Sequence, residues 1–158
     1  MQKITPWLSF NGAAEEAANF YVSLLPDSRI DRVMRSPIET PGGPVDSVLT
    51  VEFTLAGQEY AALNTPGFEQ SGAVSFLIAC EDQEEIDRLW AALTADGGSE
   101  MACGWLKDRW GVCWQITPTR LIELINDPDR ERARRAMEAM VKMIKIDIAA
   151  LEKAVAEG

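Results

Sequence analysis

Apolar and polar positions alternate in short bursts along this chain. A helical rhythm interrupts them twice early on, and the two interruptions echo each other. Residues 4–24 (ITPWLSFNGAAEEAANFYVSL) read as a short apolar strand, a turn and an amphipathic helix. Residues 73–93 (AVSFLIACEDQEEIDRLWAAL) read the same way, with Glu15-Glu16 matching Glu84-Glu85 and Phe20-Tyr21 matching Leu89-Trp90. Such an echo predicts one strand–helix–strands unit used twice, with two half-sites brought face to face.

In the first unit, Ile4–Phe10 is predicted as a strand ending at the turn pair Asn11-Gly12. A helix follows, with Ala14, Ala17, Ala18, Tyr21 and Leu25 at helical spacing, Glu15-Glu16 near its electropositive start, and Pro26 as its stop. Ser28–Arg35 reads as an exposed strand, because Ile30 and Val33 are mixed with Asp31 and Arg32. The stretch Pro37 to Pro44 (PIETPGGP) is loop, since its prolines and glycines exclude regular structure. Val48–Leu55 puts Leu49, Val51, Phe53 and Leu55 on one side and forms a hairpin with Gln58–Leu63 across Ala56-Gly57. Thr65–Gly72 is a connector with the character of a lid.

The second unit opens with strand Ala73–Cys80 and helix Gln83–Leu93, closed by Gly97-Gly98. Met101–Trp105 and Gly111–Thr117 are its further strands, joined by Leu106–Trp110. Arg120–Ile125 is a short helix stopped by Asn126-Asp127-Pro128. One last helix is expected from Asp129 to Ala156, where Met137, Met140, Val141, Ile144, Ile148, Leu151 and Val155 mark a stripe. Met143 and Ile146 fall off that stripe, and a second apolar side suggests a further partner surface, either a homodimer contact or packing across both modules.

Composition narrows the picture. At 158 residues the chain is expected to be one domain, 1–158, able to bury a core without staples. No apolar run approaches the ~20 residues that span a bilayer. The start, MQKITPWLSF, carries no secretory h-region or cleavage site. A cytoplasmic protein with no membrane partner is expected. Fifteen basic against 25 acidic residues give a net charge of −10, which argues against nucleic-acid binding. Arg130, Arg132, Arg134 and Arg135, interspersed with Asp129 and Glu131, read as a solvated, salt-bridged face. Cys80, Cys103 and Cys113 show no CxxC pairing and read as reduced thiols, with a redox pair of Cys103 and Cys113 as the alternative.

The segments ITPWLSFNGAAEEAANFY, CGWLKDRWGVCWQITP and KIDIAALEKA together resemble the PhnB-like branch of the vicinal oxygen chelate superfamily, the glyoxalase/bleomycin-resistance fold. Members often carry the label 3-demethylubiquinone-9 3-methyltransferase. The resemblance implies an α+β fold: paired βαβββ modules forming a curved mixed sheet as an open cup, with a C-terminal helical extension, commonly a homodimer. Module one is expected over about 1–70, module two over about 71–118 and the C-terminal helices over about 119–157.

In metal-dependent relatives each module supplies the cup with one ligand from its first strand, often histidine, and one from its last. The latter is typically the glutamate of a D-x-x-G-x-x-W-E pattern. The matching segment here runs from Asp108 to Gln115, so Gln115 stands where that glutamate would be. Aligning Gly57 with Gly111 places Ala61 at the equivalent first-module position, and Thr5 and Ala73 stand where histidines would be expected. The chain has no histidine at all. Alanine offers no donor atom, and Thr and Gln only neutral ones, so the resemblance implies a cup with no metal and no other cofactor. Thr5, Trp7, Ser9, Ala73, Ser75, Cys113 and Gln115 are expected to face the cup, with Val112, Trp114 and Ile116 under the helices. A one-residue slip would exchange the two faces.

Methyl transfer of the common kind needs a Gly-rich loop between a strand and a helix. Pro41-Gly42-Gly43-Pro44 and Asp96-Gly97-Gly98 lack that setting and read as a loop and a helix cap. Cys113, Cys103, Lys107 and Asp108 are the acid–base or nucleophile candidates near the cup. With no histidine to activate a thiol, none is assigned a catalytic role, and Asp108 reads as a turn residue. The function expected is small-molecule binding in an aromatic cup, with Thr5, Trp7, Ser75, Cys103, Trp105, Trp110, Cys113 and Gln115 as ligand-binding candidates. The acidic balance favours a cationic ligand. The alternative is an enzyme with an unrecognised cofactor, or a metal held by loop carboxylates such as Glu39, Asp46 or Glu69. A scaffold with a vestigial cup is the third reading.

Overall fold

The computed structural model describes residues 2–157. The chain divides into two compact units, Met1–Gln70 and Ser71–Gly158. In the first, β1 (Trp7–Phe10), α1 (Ala14–Val22), β2 (Arg29–Arg35), β3 (Val48–Leu55) and β4 (Gln58–Asn64) follow in sequence. The sheet order is β1-β4-β3-β2, with β1 parallel to β4 and the other pairs antiparallel. Ala56 and Gly57 both adopt positive φ, 45° and 82°, the handedness a two-residue hairpin turn needs to match strand twist. That turn fixes Leu55 opposite Gln58, and the rest of the β3–β4 register follows.

Helix α1 lays Ala14, Ala17, Ala18 and Tyr21 on one sheet face, where Leu8, Phe10, Val51, Phe53 and Leu55 are buried. Its capping residue, Ala13, has no side chain to offer. The side chain of Asn64 does the work instead: its Oδ1 accepts from the Ala14 N–H at 2.9 Å, while its Nδ2 donates to the Val48 carbonyl at 3.0 Å. The PIETPGGP loop presses close to the same residue, since a Cβ on Gly42 would lie 2.0 Å from the Asn64 carbonyl oxygen. Only glycine fits there.

The second unit repeats the topology. β5 (Ser75–Cys80), α2 (Gln83–Thr94), β6 (Ser99–Glu100), β7 (Trp105–Lys107) and β8 (Cys113–Pro118) form a sheet of order β5-β8-β7-β6, with β5 parallel to β8. Asp82 caps α2 by accepting from the Glu85 N–H at 2.8 Å, and the Glu85 carboxylate accepts from the Glu81 N–H in return. Ile86, Leu89, Trp90 and Leu93 form its buried face. The α+β class and the paired βαβββ arrangement expected from the sequence are therefore present, followed by C-terminal helices α3 (Thr119–Ile125), α4 (Arg130–Met140) and α5 (Ile148–Ala156).

Two expectations are corrected. The stretch Met101–Trp105 is not a strand: Ala102–Gly104 form a single 3₁₀ turn between the short β6 and β7. Cys103 and Gly104 stand there at φ 62° and 80°, and their N–H groups donate to the carbonyls of Met143 and Ile144 at 2.9 and 2.8 Å. The final helix is likewise broken in two. Asp147 caps α5 by accepting from the Ala150 N–H, and Ile146 turns into a core with Leu121, Leu124, Ala136, Leu151 and Val155. Gln83 clamps the break from α2, donating to the Ile146 carbonyl and accepting from the Ile148 N–H. Ile146 is fully buried, so it serves this chain's own core and not a partner surface.

Two arginines of α4 pair with carboxylates, Arg134 with Glu131 and Glu138, and Arg132 with Asp127. No helix among the described residues is long and apolar enough to cross a membrane.

Replacing Ile146 tests the break directly. Ile146→Ala is expected to lower the unfolding free energy by about 3 kcal/mol in urea titrations, as for a large-to-small change in a packed core. A loss below about 1 kcal/mol would mean that the side chain lies on an exposed helix face.

Candidate functional site

Residues directly paired across neighbouring strands share a face of the sheet. In the first unit the pairings Trp7↔Ala61, Ala61↔Glu52 and Glu52↔Arg32 therefore make one row across all four strands. The adjacent row, Leu8–Ala62–Val51–Val33, points the other way, toward α1. Trp7 thus lies on the face away from the helix and is 55% exposed, too open for a core aromatic. Ala61 sits between Trp7 and Glu52 with only a methyl group. A cavity of about 450 Å³ opens at this position, and its lining includes Thr5, Trp7, Asp31, Arg32, Glu52, Glu59 and Ala61. That volume lies in the range of small-molecule sites.

Its charged walls are held in place. Arg32 meets Glu52 at 2.6 Å, and Asp31 is gripped by Arg29 at 2.8 Å and by the Thr54 hydroxyl at 2.6 Å. The Glu59 carboxylate accepts from the Gln2 N–H at 2.5 Å. The hydrogen bond from Arg32 to Glu52 raises the arginine pKa further, so the guanidinium stays charged. Thr5 Oγ1 is buried with no hydrogen-bond partner among the described residues.

In the second unit the corresponding row is Leu77–Gln115–Trp105, with Ser75, Cys113 and Lys107 forming the next same-facing row. The opposite face carries Phe76, Trp114 and Leu106, and Trp114 and Leu106 are buried. Gln115, the counterpart of Ala61, donates from Nε2 to Ser75 Oγ at 2.8 Å. This pairing makes Ser75, rather than Ala73, the counterpart of Thr5.

Of the residues expected at the site, Thr5 and Trp7 meet at the first unit's cavity, while Ser75, Trp105, Cys113 and Gln115 lie on one face of the second unit's sheet. Cys113 is buried there, and a Cβ on Gly72 would lie 3.8 Å from its sulfur. Cys103 stands in the 3₁₀ turn and off the strands. Trp110 belongs to the β7–β8 turn, with the Arg109 guanidinium 5.3 Å from its ring centre. Asp108 organises that turn: it accepts from the Trp110 and Val112 N–H groups and from the Trp114 indole at 3.0 Å. Sequence reasoning missed Asp31, Arg32, Glu52 and Glu59 as cavity walls. The signal was available, since the two-residue hairpin turn already sets Glu52 beside Ala61.

The residues at the four ligand positions do not fit a divalent metal. Ala61 has no donor atom, Thr5 and Ser75 carry neutral hydroxyls, and Gln115, whose Nε2 donates to Ser75, offers only a neutral amide oxygen. Among the described residues no group of three or more Asp, Glu, Cys or His side chains is arranged to hold one, so Glu39, Asp46 and Glu69 do not form such a set.

Each of the two modules has its first strand parallel to its last. The family described as 3-demethylubiquinone-9 3-methyltransferase matches residues 2–117, and the chain belongs to that family. Helices α3 to α5 lie beyond the matched residues. The chain is similar to a PhnB protein from Bacillus cereus, a candidate 3-demethylubiquinone-9 3-methyltransferase. The two share 37% identity over 75% of this chain and 100% of that one, with a TM-score of 0.68. Protein PA1353 from Pseudomonas aeruginosa has the same fold at 24% identity, over 75% of this chain and 98% of that one, with a TM-score of 0.62. No curated protein sequence matches.

The three cysteines are free. Burial, with the neighbouring Glu85 carboxylate second, pushes the Cys80 thiol up from 9.0 to about 12. The folded state therefore keeps a proton that the unfolded chain loses above about pH 9, and this contribution to stability falls as pH rises toward 12. Urea midpoints compared at about pH 8 and about pH 10.5 are expected to drop less for Cys80→Ala than for the parent. An equal drop in both would contradict the shift.

Proposed function

We propose that this protein is a metal-free small-molecule binding protein and that its ligand seats in the hollow over Ala61. The observation that carries the reading is the Trp7–Ala61–Glu52 row. It leaves an open space walled by an exposed indole and fixed charges on the face that α1 does not cover. An aromatic platform beside a few placed polar groups is how small-molecule sites combine affinity with orientation. The donor chemistry at the four ligand positions supports binding without a metal.

Methyl transfer is not part of this reading. Gly42 and Gly43 are used in a tight turn closed by paired hydrogen bonds between Thr40 and Gly43, and Gly98 follows α2 with its N–H donating to the Ala95 carbonyl. Neither glycine pair lies between a strand and a helix as a methyl-donor loop would. The protein acts in the cytoplasm as a homodimer. Support for the dimer comes from Met137, Val141 and Ile144, which stay about half exposed along the C-terminal region.

A thermal-shift screen of metabolites and drugs is expected to give ligands whose stabilisation grows with concentration, unchanged by EDTA and lost in Trp7→Ala. Stabilisation abolished by EDTA, or retained in Trp7→Ala, would count against this site. For the assembly, sedimentation should report a dimer at micromolar concentration and a monomer for Ile144→Glu. A parent protein that sediments as a monomer would remove the homodimer.

A further inference from the structure

Resting on that binding reading, we infer that the hollow over Ala61 selects an uncharged flat ligand that carries a carboxamide edge. The row across the first sheet sets the Trp7 indole, the Ala61 methyl, the Glu52 carboxylate and the Arg32 guanidinium one after another. Trp7 and Glu52 flank Ala61 from the strands on either side, about 10 Å apart at two strand spacings. A ring lying over Ala61 against the indole therefore turns its far edge to Glu52 and, one strand further, to Arg32. Those two side chains meet through a single contact, Arg32 Nη2 donating to Glu52 Oε1 at 2.6 Å. Glu52 Oε2 and the Nε and Nη1 donors of Arg32 have no partner among the described residues, and the arginine side chain is 65% exposed. The pair thus offers a ligand an acceptor next to donors.

A carboxamide answers both, its N–H donating to Glu52 and its carbonyl accepting from Arg32. A carboxylate on the same ring accepts from Arg32 but meets Glu52 as a like charge. An amidinium donates to Glu52 but meets Arg32 in the same way. Either ion also competes with an ion pair whose two charges already compensate each other. The remaining carboxylates of the lining are engaged as well, Asp31 by Arg29 and the Thr54 hydroxyl, and Glu59 by the Gln2 N–H.

Benzamide, benzoate and benzamidine test this, because the three share a ring and nearly a shape and differ in the edge they present. In NMR-detected titrations of the full chain, benzamide is expected to bind about threefold or more tighter than either ion. Two single variants should then move the preference in opposite directions. Glu52→Gln leaves Arg32 without its counter-charge, so benzoate should gain about threefold to fivefold. Arg32→Gln leaves Glu52 without its own, so benzamidine should gain by a similar factor. Raising the salt concentration should shrink both gains and leave benzamide unchanged. Either ion equal to benzamide or ahead of it in the parent overturns the inference, as do variants that shift neither ion. Those outcomes leave small-molecule binding in place. Failure of benzamide to bind at millimolar concentration also overturns the inference. The thermal-shift screen then decides separately whether the hollow binds anything.

Discussion

The two-residue alternation of a strand is the constraint on which this site depends. Once α1 claims Leu8, Ala62 and Val51 for the core, the neighbours Trp7, Ala61 and Glu52 must point to the opposite face. The Ala56-Gly57 turn locks that choice, because a two-residue hairpin admits one register. Asn64 then ties the end of β4 to the start of α1 through one side-chain hydrogen bond and to the start of β3 through a second, so the helix cannot slide without losing its cap. An indole exposed to solvent is therefore a consequence of where the alanines of α1 pack.

The two modules share a topology and differ at one decisive place. Ala61 leaves a hollow in the first, and Gln115 occupies the matching position in the second and bonds to Ser75. The two sheets present similar rows of side chains, with an opening at the centre of one and the Gln115–Ser75 hydrogen bond at the centre of the other. The C-terminal helices belong to the second unit. They are held there by Gln83, by the backbone donors of Cys103 and Gly104, and by an apolar cluster centred on Ile146.

Most of the fold was legible because periodicity and turn chemistry agree over residues 4–64 and 73–98. The hairpin, the loop of three prolines and the two early helices all carry local signals. The failures share a cause: tertiary contacts overrode a local pattern. Gly104 was read inside a strand, yet a Cβ there would meet Ile146 Cγ1 at 2.8 Å, so the glycine marks a close contact. The run Ile144-Lys145-Ile146-Asp147-Ile148 alternates with a period of two, a warning against a continuous helix that the longer stripe concealed. At the site, Trp7 was singled out from sequence, whereas its charged companions looked like ordinary strand charges until pairing placed them beside it. The strand that would carry Cys103 onto the sheet face is replaced by a 3₁₀ turn.

The most direct measurement is an amide and indole NMR titration of the full chain with a ligand found in the thermal-shift screen. Binding over Ala61 predicts saturable shifts at the Trp7 indole and at the amides of Glu52 and residues 59–61, with the Trp105 indole and the Gln115 amide unmoved. Shifts centred on Trp105 and Gln115, with Trp7 silent, would contradict it.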